Sequence, residues 1–173
     1  MAQAWEVNGL RKNARFADAA GRVILTRWFE MMSHREGTLA GEDIEHLHAM
    51  RVSSRRLRAA MDAFAAAFPE GSFRRNLRRV KEVTDTLGDA RDLDVAIEAL
   101  TSLLPDLAPD ERPGIEGLIA RYRQERGEED QHIRAMFARL DEDDFERHFV
   151  AWVEKHTGIA LTKLRPRAPA GSD

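Results

Sequence analysis

The residues best equipped for chemistry lie between Glu45 and Arg58. There His48, Arg51, Arg55 and Arg58 recur at steps of three and four, a spacing that lines them up along one side of a helix. Arginine offers a planar fork of donors that never loses its charge, so the chemistry on offer is anion binding rather than proton transfer. Leu47, Met50, Ser54, Leu57, Met61, Phe64 and Phe68 form a core-facing stripe about 100° round the same helix. Guanidinium groups at the margin of such a stripe are costly to desolvate unless an anion meets them. No acid stands between Glu45 and Asp62, so salt bridges within the helix cannot account for Arg51, Arg55, Arg56 and Arg58. His48 could add a donor to an anionic oxygen, more strongly once protonated.

Other chemistries find less support. Glu45 with His48 and Glu129 with His132 are both Glu-x-x-His pairs, the spacing of carboxylate-bridged di-metal bundles. No clearly inward Glu on two further helices completes such a set, and Arg51 and Arg55 would repel a dication. His46 and His48 sit on different faces of a regular helix and cannot share an ion. There is no cysteine, neither Ser53 nor Ser54 lies in a glycine-rich strained turn, and no glycine-rich phosphate loop occurs. The expectation is a binding protein with no catalytic residue, metal or cofactor; a di-metal enzyme is the weaker alternative. A nucleic-acid binder is the stronger one, but the basic rows contain no interleaved aromatics and Tyr122 is the only tyrosine.

The elements that must hold these residues are helical. Charged residues make up 33% of the 173-residue chain and aromatics 7%, a balance that favours an all-α globule. The expected architecture is an antiparallel bundle of about four long helices plus short ones. A first helix is expected over about 8–34, with Arg11, Arg15 and Arg22 beside its apolar stripe. The arginine-bearing helix runs from an Asp43 N-cap to about Phe68, closed by Pro69 and Gly71. A third, about 72–87, carries Arg74, Arg78 and Lys81 at the same one-residue offset from its stripe. Gly88 reads as the glycine ending that helix and Asp89 as the cap of the next, about 91–104. Arg91 would then stand at a helix start, where the dipole disfavours it, and Asp92 and Asp94 in a favoured first turn. Asp92 or Asp94 is expected to orient an arginine of the 43–68 helix while Arg91 faces the ligand. A proline-rich loop over 105–113 leads to helices over about 111–140 and 143–157. The long one has a polar run from Arg123 to His132, with Arg126 within its stripe.

One domain over 1–164 and a disordered tail over 165–173 are expected. Residues 46–91 hold ten Lys and Arg against five acids, whereas 92–173 hold eleven against eighteen. The positive charge is therefore local, as suits a defined anion site on an acidic body. No apolar run approaches a membrane span and no secretory leader is evident, so a cytoplasmic protein is expected.

Two segments together resemble a known family. His48-Ala49-Met50-Arg51-Val52-Ser53-Ser54-Arg55-Arg56-Leu57-Arg58 is similar to H-x-M-R-V-x-x-R-R-L-R, and Leu87-Gly88-Asp89-Ala90-Arg91-Asp92-Leu93-Asp94-Val95 to L-G-x-x-R-D-x-D-V. Both are motifs of the CHAD domain, the conserved-histidine α-helical domain, and the resemblance spans roughly residues 8–157. It implies a helical bundle that binds inorganic polyphosphate through a basic surface or cavity. His48, Arg51, Arg55, Arg56, Arg58 and Arg91 fall on motif positions, and Lys81 on a commonly basic one. Arg51, Arg55 and Arg58 are the first candidate contacts, then His48, Arg78, Lys81 and Arg91, then Arg22, Arg56, Arg74 and Arg126. Family members usually carry two similar halves, and nothing after Asp94 repeats the His/Arg pattern. A half-length member is expected, with two chains pairing as a homodimer to complete the cavity. Storage, association with polyphosphate granules and regulation of a partner enzyme are all compatible roles.

Overall fold

A computed structural model describes residues 4–164, and the observations below concern those residues; the expected tail over 165–173 lies outside them. The helices are α1 (Phe16–Met32), α2 (Arg35–Ala40), α3 (Ile44–Ala63), α4 (Glu70–Leu103), α5 (Arg112–Glu142) and α6 (Phe145–Thr157), with 3-10 turns at Ala65–Ala67, Leu104–Asp106 and Leu161–Lys163. No strand occurs among the described residues, and the fold is all-α. α3 lies between α1 and α4, α5 packs along α4, and α6 closes over α1.

Local sequence explains most of the boundaries. The Asp43 side chain accepts the backbone N–H of Glu45 at 2.8 Å and starts α3, and Gly158 ends α6 with φ +74°, a conformation only glycine adopts freely. The core is aliphatic at α3, where Leu47, Met50, Leu57 and Met61 are buried, and aromatic near α6. Trp28 stacks on Phe149 at 4.5 Å and Phe68 on Trp152 at 4.2 Å. α1 and α6 approach closely at Gly21, where a Cβ would collide with the Thr157 side chain.

Three boundaries differ from expectation. α1 begins at Phe16, not near residue 8, and Arg15 is its N-cap. The preceding segment is folded back: Gly9 has φ +75°, and the Arg22 guanidinium donates to the Asn8 carbonyl at 3.3 Å. α3 stops at Ala63, and a 3-10 turn delivers Phe68 into the aromatic core. The third difference is the largest. α4 runs unbroken for 34 residues, through Gly88 and Asp89. Gly88 does not take positive φ. Val83, Leu87, Ala90 and Asp94 are buried along one side across this point, and packing against α3 and α5 outweighs the roughly 1 kcal/mol that an interior glycine costs a helix. Arg91, Asp92 and Asp94 are therefore mid-helix, and the dipole arguments at those positions lapse.

A candidate anion-binding strip on two helices

Gly88 has a different use. The Arg51 guanidinium of α3 lies against it, with Nε 3.8 Å from where a glycine Cβ would be. This contact reads out the register of the antiparallel α3/α4 pair, because both helices rise by the same step per residue. Three residues back on α3 and three on along α4, His48 comes level with Arg91. Seven on along α3 and seven back on α4, Arg58 comes level with Lys81, and Arg78 follows one turn later. The two motifs are thus brought side by side, over about 15 Å of helix axis between His48 and Arg58.

Arg55, Arg78 and Lys81 are exposed, and His48, Arg51, Arg58 and Arg91 are half-buried. Among the described residues, none of these seven side chains forms an ion pair within the chain. The His48 Nδ1 is buried with no hydrogen-bond partner. By helical position Asp85 and Asp92 fall within the α4 side of the strip, yet both are exposed and among the described residues neither forms an ion pair with its cations. Six permanent charges thus stand on an open face with their donors free. Such an arrangement can grip a repeating anion at several points.

The remaining candidates lie elsewhere and have partners. Arg22 holds the N-terminal segment through Asn8. Arg56, although next to Arg55, turns toward α1 and donates to Glu30 at 2.7 Å. Glu30 is 1% exposed and also pairs with Arg27, so Arg56 neutralises a buried carboxylate. Arg74 pairs with Glu70 on an exposed turn. Arg126 donates from Nε to Asp94 at 2.8 Å and also pairs with Asp130. Burial raises the Asp94 carboxyl above its usual range, against the pull of Arg126 and Arg91. Asp94 therefore ties α5 to α4 and does not orient an arginine of α3. It lies three residues beyond Arg91, about 60° further round α4 and away from Gly88.

The hollows of the molecule include one of about 570 Å³ bordered by Phe29, Leu140, Phe145, Val150 and Leu161 and a cleft of about 360 Å³ bordered by Asp89, Glu129, His132 and Arg139. Neither touches the arginine row. The two Glu-x-x-His pairs do not converge: among the described residues no group of three His, Asp or Glu side chains is placed to hold a metal. His132 Nδ1 instead contacts Glu129 at 3.2 Å, beside Asp89. The Ser53 and Ser54 hydroxyls are buried and donate into their own helix, to Ala49 at 2.7 Å and Arg51 at 2.8 Å.

Sequence reasoning missed Gly88 as the seat of Arg51 and Glu30 as the partner of Arg56. A signal for Glu30 did exist, as a lone acid inside the apolar run Trp28 to Met32.

No curated protein and no solved structure matches the chain significantly. Among the described residues no helix is long and apolar enough to cross a membrane. The family model of the CHAD domain matches residues 23–172, taking in α3, α4 and both motifs that meet at the strip. On the extent of that match, the chain belongs to the CHAD domain family.

Proposed function

We propose that this protein binds inorganic polyphosphate, or a closely similar inorganic polyanion, without catalysis, through the α3/α4 strip. One observation carries the proposal: six Arg and Lys side chains in register on two adjacent helices, none of them in an ion pair among the described residues. Arg51, Arg55 and Arg58 supply the central contacts, Arg78 and Lys81 extend them at one end, and His48 with Arg91 at the other. Each guanidinium can take one unit of the repeating ligand through paired N–H donors. Family membership supports the same ligand class. Nucleic acid ranks second because no aromatic side chain stands among the strip residues to stack on a base.

The decisive experiment is calorimetric titration with polyphosphate of defined length, with a single-stranded oligonucleotide as competitor. Polyphosphate should displace the oligonucleotide, and displacement in the opposite sense alone would turn the assignment to nucleic acid. A second chain placing its own strip opposite the first would form a two-fold homodimer around one ligand. Light scattering of the complex should give twice the chain mass, and a monomeric mass at all concentrations would remove the dimer.

A further inference from the structure

The strip does not account for all the unpaired positive charge at its α3 C-terminal end. Arg11, Lys12 and Arg15 are exposed in the folded-back segment before α1. Among the described residues none of the three has an ion pair or side-chain hydrogen bond; the acids nearest in sequence, Glu6 and Asp18, leave them free. The segment has a defined place. Its turn is closed by the Ala14 N–H donating to the Arg11 carbonyl at 2.9 Å, and Arg22 holds Asn8. The next residue after Arg15 is Phe16, whose ring meets Phe64 at 5.3 Å. Phe64 is six residues beyond Arg58, roughly 9 Å along the α3 axis. Leu10 is 47% exposed, so the segment is not spent on core packing.

We infer that residues 11–15 form a second polyanion-binding arm, which takes a long chain as it leaves the strip past Arg58, Lys81 and Arg78 and rounds the C-terminal end of α3. The inference rests on the strip binding polyphosphate and adds a preference for chain length. A ligand no longer than the strip is held by α3 and α4 alone. A longer one gains three further cations, and their contribution is screened by salt.

The test compares wild type with the triple variant Arg11→Ala, Lys12→Ala, Arg15→Ala, titrated with long-chain polyphosphate and with a fraction no longer than the strip. The arm predicts a loss of about tenfold or more for long chains and a shallower salt dependence by about two units of slope, with short-chain affinity changed by less than about twofold. Equal long-chain affinity in the two proteins would overturn the arm while leaving the strip standing. So would an equal loss for both lengths, since that places the effect in the strip itself. Should wild type bind neither ligand, strip and arm fall together. Vesicles of phosphatidylserine and phosphatidylcholine serve as a further probe: an arm needed for vesicle binding but not for long polyphosphate would assign these residues to a membrane surface instead.

Discussion

Arg51→Glu combined with Arg55→Glu should weaken polyphosphate binding by at least about 100-fold, about 2.7 kcal/mol. The two side chains sit in the middle of the strip, and the double change replaces two donors of charge-assisted hydrogen bonds with two carboxylates that repel the ligand. Folding should survive. Arg55 is exposed, Arg51 is half-buried at the edge of the seam, and neither has an internal partner to lose. Far-UV circular dichroism and the unfolding midpoint should therefore stay close to wild type. Arg51→Lys makes a finer test, since it keeps the charge but loses the planar fork. Its affinity should fall between the two. A double variant that is folded and binds normally would remove the strip as the site.

Arg56→Ala should do the reverse. Arg56 is the immediate neighbour of Arg55 and also stands on a motif position, yet its guanidinium reaches across to Glu30 of α1. Removing it leaves a carboxylate 1% exposed with Arg27 as its remaining ion-pair partner. Breaking one side of a buried pair costs about 3–5 kcal/mol when no other partner remains. With Arg27 still in place, about 2–3 kcal/mol is expected, a large share of the 5–15 kcal/mol typical of a domain. Urea unfolding should show this loss, while polyphosphate affinity of the folded variant stays within about threefold of wild type. Unchanged stability together with weakened binding would move Arg56 back into the anion site.

These two adjacent arginines show what was legible in the sequence. The period of Leu47, Met50, Leu57 and Met61 and the Asp43 cap specify α3 almost to the residue, because both signals are local. The row from His48 to Arg58 is visible for the same reason. The difference between Arg55 and Arg56 is not, since Glu30 is 26 residues away and its burial depends on how α1 crosses α3. The same limit applies to Arg126 and Asp94, which are 32 residues apart. Gly88 misled most. Locally, glycine followed by aspartate resembles a helix end and a new cap; in the fold, packing from both sides carries α4 through it. The unbroken helix is what sets Arg91 one turn from Gly88, on the same strip as Lys81. Of the three arginine rows expected at one offset, two meet across α3 and α4 and one does not.

The central claim is that a line of unpaired cations on α3 and α4 holds a polyanion. Its most direct test is the affinity of wild-type protein for polyphosphate, measured by calorimetry across a series of salt concentrations. Each cation that neutralises a phosphate releases counterions, so log K should fall linearly with log salt. For six strip cations the slope should be about −4 or steeper, taking about −0.7 per contact for a single-stranded polyanion. The double variant Arg51→Glu, Arg55→Glu should show no measurable binding under the same conditions. Affinity that is absent in wild type, or independent of salt, would contradict the account.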